Sequence, residues 1–401
     1  YGRPLGSEFS SPFSPKDIKQ FNLSQKINTN INETTELEAS LTISSHSNDH
    51  YRPDIIDSRF LEALNGTTLG QSNGNLVYWN IFDSSQNSQE LIDYVRGAEV
   101  SSKDASLNNL GLIFRSENDG YEIAYGFQYN NEKLKITYDD ISTAEFDGDG
   151  KIIKSADLFF LGGGINLSKN RNNYAAFFEI QPKPIENLDL KIAGRFEEFE
   201  NDSSFDPKFS FKYAASENIT LRASKSSSFS MPSMAQMFSS DINLGSVRDF
   251  NGDSPFVRQA QIGNPDLKPA TSNNINIGFI FENSLQRLSI DYWNIDYKNR
   301  IEAQSAQVIL NTDPNGPSIT RNSSGDLIGV TTTYFNEEST EVSGIDLNFN
   351  KLLLTSDKYG DVSLIINSTT LIEFLTPALG NEDSEIMINR VGKFNYDTNT
   401  H

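Results

Sequence analysis

Two short acidic segments carry the residue types of a cation site. Residues 145–150 (Glu-Phe-Asp-Gly-Asp-Gly) alternate carboxylates with other residues and place glycine at the sixth position, as a calcium loop does. The twelfth position is Ala156, so the bidentate carboxylate is missing, and Asp157 comes one residue late. Residues 249–253 (Asp-Phe-Asn-Gly-Asp) are incomplete in the same way. We therefore expect polar turns at both segments and no metal site.

The histidines are too few for catalytic zinc. The chain has three, and only His46 and His50 are close in sequence. A zinc site needs three protein ligands in a defined geometry, so carboxylates such as Asp54 would have to complete it. We expect solvated loop histidines instead.

Signatures of enzymes are also absent from the sequence. It has no phosphate-binding lysine loop, nucleophile elbow or zincin helix, and no cysteine at all. Residues 162–164 are three glycines that no helix start follows, which favours a flexible loop over a phosphate-binding loop. Glu197, Glu198 and Glu200 could act as an acid–base pair, but a solvated face is the simpler prediction. We expect no enzyme and no cofactor.

Charge argues against one class of partner. The formal net charge is −21, whereas nucleic-acid binding needs basic side chains to neutralise phosphates. An acidic surface attracts cationic ligands and keeps loops soluble. No run of about 20 apolar residues exists, so no spanning helix is predicted.

The elements that must position any site are amphipathic strand pairs. Residues 174–180 and 188–196 alternate apolar and polar side chains and are joined by Pro-Lys-Pro at 182–184. Residues 209–213 and 219–224 repeat this arrangement. Several strands reach nine or more residues, the length that crosses a bilayer when tilted, whereas strands of soluble sandwiches usually have about 5–6. We predict an all-β, antiparallel transmembrane β-barrel with about a dozen long strands in this chain.

This barrel hypothesis assigns faces and ends. The predicted lipid-facing residues are Tyr121, Ile123, Tyr125, Phe127, Phe209, Phe211, Tyr213, Leu288 and Ile290. The predicted extracellular loops lie near residues 48–105, 140–170, 229–270 and 302–325. The predicted short periplasmic turns are 118–119, 182–183, 216–217 and 283–284. Within the first loop, Ser88 and Glu90 predict the start of a short helix.

One stretch resembles a known family. Residues 219–232 (Ile-Thr-Leu-Arg-Ala-Ser-Lys-Ser-Ser-Ser-Phe-Ser-Met-Pro) are similar to the Leu-Arg-Ala-Ser and Phe-Arg-x-Pro signature of TonB-dependent outer-membrane receptors, with Ser230 in place of arginine. Residues 263–269 (Gly-Asn-Pro-Asp-Leu-Lys-Pro) resemble the next family motif, with Ala270 in place of an acid. The specific resemblance covers about residues 157–350.

The resemblance implies a 22-stranded barrel, the size of large outer-membrane transporters, around an N-terminal plug domain. It makes residues 1–401 a partial barrel, truncated at both ends, in the cell outer membrane of a Gram-negative bacterium. The implied function is energy-coupled uptake of a scarce nutrient such as an iron chelate or oligosaccharide. The implied partners are that nutrient, outer-membrane lipid, and TonB through the missing plug. Arg222 lies on the polar face of its strand, opposite Leu221, so we expect it to face the lumen and pair with a carboxylate of the barrel or of the plug. A passive porin or adhesin, and a soluble β-rich binding protein, remain alternatives.

The candidate ligand-binding residues lie in the long loop that follows the motif. Between Phe229 and Pro269 this loop combines aromatic rings that can stack with arginines that can hold an anion in a bidentate fork. The candidates are Arg248, Asp249, Phe250, Asp253, Phe256 and Arg258. Loops that merely pack on each other use the same residue types, so both interpretations stay open.

Overall fold

A computed structural model describes residues 14–69, 71, 74–147, 150–199, 202–358, 360–377 and 387–393. Four α-helices lie in this part of the chain, α1 Asp57–Asn65, α2 Gln89–Val95, α3 Met234–Phe238 and α4 Ala306–Thr312, together with a 3-10 helix at Ser84–Gln86. The strands of its first half are β1 Lys16–Asn30, β2 Thr35–Ile55, β3 Arg96–Asn118, β4 Tyr121–Tyr138, β5 Glu145–Phe146, β6 Ile152–Lys154, β7 Leu167–Pro182 and β8 Leu188–Phe199. The remaining strands are β9 Asp202–Ser216, β10 Ile219–Ser230, β11 Ser240–Ser246, β12 Phe256–Ile262, β13 Ala270–Glu282, β14 Gln286–Ala303, β15 Ile319–Arg321, β16 Leu327–Ser356, β17 Gly360–Pro377 and β18 Met387–Asn389.

Twelve long strands form one antiparallel wall. Its order is β1-β2-β3-β4-β7-β8-β9-β10-β13-β14-β16-β17, so each strand pairs with its neighbours in the chain once the short strands are set aside. Within the described residues β1 and β17 do not meet, and the wall is an open part of a barrel. The predicted fold class and the predicted number of long strands are both confirmed.

The wall has one continuous apolar face. The register places Phe127 beside Leu112 on β3 and Ala176 on β7. Farther along the sheet, Phe279 lies between Leu221 and Ile290 in the same way. Because side chains alternate across a strand, all nine residues predicted to face lipid lie on this apolar face. Phe127 is 59% exposed, as expected for a side chain whose solvent is hydrocarbon.

The opposite face is polar and is crossed by ion pairs. Arg222 donates to both carboxylate oxygens of Asp291 at 2.8 and 2.6 Å, which confirms its predicted pairing with a barrel carboxylate. Glu38 accepts from Lys26 and Arg115 across three strands. Glu197 is buried and pairs with Arg195, so the prediction of a solvated face is wrong for it. Glu200 lies outside the described residues. These pairs satisfy charges on a face that lipid does not reach.

Short turns and long connections lie at opposite ends of the wall. Among the described hairpins, the tight turns after β1, β3, β7, β9, β13 and β16 all lie at one end, and the Asp119-Gly120 turn has Gly120 at φ 87°. The long connections lie at the other end, where β8 also ends and β9 begins. No helix in the described residues is long and apolar enough to span a membrane.

Several strands are longer than the sequence pattern predicts. Residues 48–55 and 96–105 belong to β2 and β3 rather than to the predicted loop, and β16 is one continuous strand of 30 residues. A strand crosses a bilayer in about 9–11 residues, so these strands continue beyond it, where their side chains can be polar. His46 and His50 therefore lie on a strand and not in a loop. His46 Nδ1 accepts a hydrogen bond from Gln20 Nε2, and His50 Nε2 shares one with the Ser14 hydroxyl.

The long connections fold into a layer of their own. We call residues 56–95, 139–166, 231–269 and 304–326 the loop layer. Its described residues form three small cores, and the first contains Phe60, Trp79 and Leu91 between α1 and α2. Ser88 caps α2 by accepting from the Leu91 amide, as predicted. The Asp54 carboxylate joins this layer to the wall by accepting from the amides of Phe160 and Leu161.

The glycines at 162–164 are a close-packed junction and not a flexible loop. All three are buried, and Gly163 has φ 66°. A side chain on Gly163 would overlap the carbonyl oxygen of Ser142, and one on Gly162 would overlap Ile242 of β11. The Gly163 carbonyl accepts from the Ile242 amide at 2.9 Å. Glycine is needed here because two backbones approach each other closely.

Candidate ligand-binding surface at the loop end

The predicted ligand loop is a β-hairpin seated on the end of the wall. β11 and β12 pair antiparallel, and β12 then pairs in parallel with the first residues of β16. Beneath the hairpin lies a core shared by the residue that follows β11 and by β12, α4, β15 and β16. Its members are Val247, Val257, Ala306, Leu310, Ile319, Leu327 and Val330. The hairpin is therefore held in place by apolar burial before any polar contact is considered.

An ion pair fastens the hairpin tip to the neighbouring loop. Both Nη atoms of Arg321 donate to the Asp249 carboxylate at 2.8 Å, and the Arg321 guanidinium lies 4.9 Å from the centre of the Phe250 ring. The guanidinium holds the pKa of Asp249 below its usual range, and the carboxylate raises the pKa of Arg321. The Asp249 side chain is only 4% exposed. Because the Asp249 carboxylate already accepts two hydrogen bonds from a protein side chain, its first role is to stabilise the fold.

A second pair of bonds joins the same two loops. The Gln307 side chain accepts from the Arg248 amide at 2.7 Å and donates to the Arg248 carbonyl at 2.9 Å. The tip itself is a polar turn in which the Asp249 amide donates to the Asp253 carbonyl and Gly252 has φ 90°. The expected polar turn at 249–253 is thus confirmed, and the Asp249 carboxylate is hydrogen-bonded to Arg321.

The other acidic segment is also a turn. β5 pairs with β6 across it, and the Asp147 side chain accepts from the Lys151 amide. Residues 148 and 149 lie outside the described residues. In the part of the chain that the structure describes, no group of three or more His, Asp and Glu side chains is placed to hold a metal ion.

The six candidate residues separate into exposed and interior groups. Phe250 and Phe256 are 71% and 60% exposed, and the Arg248 and Asp253 side chains are exposed at the same tip. Asp249 is buried. Arg258 points into the layer, where its Nη2 donates to the Leu158 carbonyl. The exposed surface can stack on a flat ligand and offer one guanidinium, while the interior residues fix its position.

Two residues of this surface escaped prediction from the sequence. Arg321 and Gln307 lie in the connection between β14 and β16, more than fifty positions from their partners. No local spacing links an arginine in an asparagine-rich loop to a distant aspartate, so only the folded layer brings them together.

A small polar cavity of about 180 Å³ lies where the hairpin meets the wall. Arg52, Glu99 and Lys103 of β2 and β3 line it from the wall, and Asp241 of β11 lines it from the hairpin. Arg52 donates to Glu99 at 3.0 Å. Burial raises the pKa of Asp241, which is the one of these acids that belongs to the loop layer. The junction thus has an ion pair on the wall side and, on the hairpin side, an acid whose charged form burial disfavours.

Comparison with solved structures identifies the same architecture. The siderophore receptor PirA from Acinetobacter baumannii aligns with a TM-score of 0.52 and 14% identity over 90% of this chain and 54% of its own. A mutant of the ferric enterobactin receptor PfeA from Pseudomonas aeruginosa aligns with a TM-score of 0.53 and 14% identity over 94% of this chain and 55% of its own. The chain spans about half the length of these structures. At this identity the likeness concerns the fold.

Family assignment rests on the sequence as a whole. No curated protein matches the chain closely enough to count as a relative. The family model described as TonB dependent receptor-like, beta-barrel, matches residues 2–398, which includes the motif segments at 219–232 and 263–269. The wall with its apolar outer face, polar inner face and folded loop layer agrees with that match. The chain belongs to the β-barrel family of TonB-dependent receptors.

Proposed function

We propose that this chain forms the ligand-facing part of an outer-membrane receptor that takes up a scarce, large nutrient with energy supplied through TonB. The observation that carries the proposal is the exposed tip of the β11–β12 hairpin, where Arg248, Phe250 and Phe256 are presented on a rigid base. A rigid base lowers the entropic cost of binding, so a few exposed side chains suffice to hold a ligand.

The nutrient we propose is a metal chelate, an oligosaccharide or a molecule of similar size. Two of the similar structures are described as a siderophore receptor and a ferric enterobactin receptor, and another as a copper transporter. A planar, acidic chelate suits the tip, because rings stack on Phe250 and an anionic group pairs with Arg248. The proposed partners are this nutrient, outer-membrane lipid around the apolar face, and TonB through a plug domain outside the chain.

The test replaces exposed residues of the tip and leaves the apolar core beneath the hairpin intact. Deleting residues 243–258 would also remove Val247 and Val257 from the core, so display and binding would fail together. Phe250→Ala and Arg248→Ala avoid this, and Phe82→Ala is the matched control because Phe82 is 95% exposed in another loop. We expect normal surface display, with uptake affinity lower by about tenfold for the first two variants only. Normal uptake by both would end the proposal.

A passive porin or adhesin is the second candidate, favoured by the polar inner face of the wall. Energy coupling separates the two functions. Uptake should stop in cells that lack TonB or whose proton gradient has been collapsed, whereas passive diffusion through a porin would continue. An adhesin would show neither response and would bind cells or surfaces instead.

A further inference from the structure

A group of polar residues lies on the outer face of the wall, directly beyond the apolar band. On β4 the outward-facing side chains are aliphatic or aromatic from Tyr121 to Tyr129 and polar from there on, at Lys133 and Lys135 among others. The apolar stretch has the length at which a tilted strand crosses a bilayer, about 9–11 residues. The rings of Tyr129 and Tyr174 lie 5.2 Å apart at its end, as aromatic residues do at a membrane interface. The polar group therefore lies at the level of the lipid headgroups, on the side of the long connections.

The two lysines of this group are without partners in the protein. Lys133 and Lys135 are exposed, and neither forms an ion pair or a hydrogen bond within the part of the chain that the structure describes. Asp104 of β3 lies opposite Lys135 in the register and forms no ion pair with it. On the inner face, by contrast, Lys26 pairs with Glu38. The two ammonium groups start about 7 Å apart along one strand and are available to a ligand outside the wall.

Asparagine side chains of β7 add neutral donors beside the lysines. Asn131 Nδ2 donates to Asn170 Oδ1 at 2.8 Å and to Asn172 Oδ1 at 2.7 Å. The Tyr129 hydroxyl also donates to Asn172 Oδ1, at 3.0 Å. Both β7 amides are thus held through their oxygens, and their Nδ2 groups have no acceptor among the described residues. The side chains without partners are therefore donors, which suit a ligand rich in acceptor oxygens.

Location and charge together select the ligand. In the proposed outer-membrane location this side of the wall meets the outer leaflet, whose glycolipids carry phosphate groups on a sugar headgroup. Basic side chains next to a bilayer bind anionic headgroups, and phosphate oxygens are strong acceptors. We propose that Lys133, Lys135, Asn170 and Asn172, here called the lysine strip, bind a phosphate group of one such glycolipid while its acyl chains lie on the apolar band. The strip is separate from the hairpin tip and does not depend on the nutrient that the tip binds.

The experiment counts lipid molecules on the intact receptor, purified in a non-ionic detergent, by native mass spectrometry. The probe is diphosphoryl lipid A, and the comparison lipid is the same molecule after removal of both phosphates. We expect the wild type to bind the phosphorylated lipid about tenfold more tightly than the dephosphorylated one. Raising the NaCl concentration from about 50 to about 500 mM before analysis should reduce this preference, because salt screens exposed charges.

A pair of double variants locates the bound lipid. Lys133→Gln combined with Lys135→Gln removes both charges of the strip and should weaken binding of diphosphoryl lipid A about tenfold. Lys208→Gln combined with Lys212→Gln is the matched control, because these exposed lysines lie on the inner face of β9. The control should bind the lipid as the wild type does. Heat-dependent gel mobility shows that both variants are folded.

Three results would overturn the proposal. Equal losses in the two double variants, or no loss in the first, would exclude the lysine strip as the site. Equal binding of the phosphorylated and dephosphorylated lipids by the wild type would exclude phosphate as the recognised group. If inorganic phosphate at the same concentration displaced the lipid, the strip would be a site for a free anion, and the assignment to a glycolipid would be wrong.

Discussion

The wall and the loop layer use apolar residues in opposite ways. On the wall Phe127 and Phe209 are 59% and 47% exposed on the outer face, while charges pair on the inner face. In the loop layer Trp79 and Leu310 are 6% and 1% exposed, as in a water-soluble protein. Backbone pairing, and not an apolar core, holds the wall together, because every strand finds its partners in the sheet. One chain thus contains two regions whose stability depends on different solvents.

A charge placed on the outer face of the wall should have the largest effect. Phe127→Arg puts a cation among Leu112 and Ala176, and should cost about 2–4 kcal/mol at the middle of the bilayer. Gln128→Arg is the matched control on the adjacent, inward-facing position. Folding into lipid vesicles, followed by gel mobility and urea titration, measures both. If the two variants lose equal stability, the two faces do not differ as described.

A methyl group at the glycine junction should be the most damaging small change in the loop layer. Gly163→Ala combines an unfavourable positive φ with overlap against Ser142, and should destabilise the layer by about 2–3 kcal/mol. Gly252→Ala has a positive φ with open space around it, and should cost only about 1 kcal/mol. Hydrogen exchange of the β11–β12 amides measures the difference. Exchange of the wall amides should be unaffected. If the β11–β12 amides exchanged more slowly in Gly163→Ala than in the wild type, the close packing at the glycine junction would be contradicted.

Loss of the ion pair at the hairpin tip should have the next largest effect, a destabilisation of about 2 kcal/mol. Asp249→Asn leaves Arg321 without its charged partner in a largely buried position. Because the folded-state pKa of Asp249 lies below its unfolded value, this contribution is complete above about pH 4 and falls as the pH drops through the folded-state pKa. Protease cleavage of the tip should therefore be constant from pH 7 to 5 and rise below about 4 in the wild type. Asp249→Asn should be cleaved faster than the wild type at pH 7 and should show no further rise in acid. If the two proteins had identical pH profiles, the role of Asp249 would be disproved.

Removal of a helix cap should have the smallest effect. Ser88→Ala removes the side chain that accepts from the Leu91 amide and should cost about 1 kcal/mol, confined to α1 and α2. Ser85→Ala changes a nearby serine outside α2, in the 3-10 helix Ser84–Gln86, and serves as control. Hydrogen exchange at Leu91 and Ile92 should increase in the first variant alone. Effects that spread into the wall would show that the two regions are less independent than their cores suggest.

Patterns among residues close together in the sequence predicted those parts of the fold that depend on such residues. The Asp119-Gly120 turn, the capped helix after Ser88 and the shared face of Tyr125 and Phe127 depend on residues close in sequence. The extension of β2 through Asp54 was missed because polar side chains suit a strand that has left the bilayer, and backbone pairing does not require an apolar pattern. The glycine junction was missed because glycine permits both mobility and close approach.

The candidate site was predictable only in outline. The sequence located the loop and its exposed residues Arg248, Phe250 and Phe256, but it could not separate them from the interior residues Asp249 and Arg258. That separation depends on Arg321, which reaches Asp249 only because β15 and β12 both pair with β16. Whether the exposed group binds a nutrient stays a prediction.

The parallel pairing of β12 with β16 has a consequence for the order of assembly. Arg258 lies opposite Gly329, so this contact closes a loop of about seventy residues that contains the β13–β14 hairpin. Neighbouring hairpins of the wall close far shorter loops and can form early, whereas distant pairings form slowly. The apolar core beneath the hairpin is therefore incomplete until the start of β16 has paired with β12. We infer that a chain interrupted before β16 would display its hairpin unsupported, with Val247 and Val257 exposed to water.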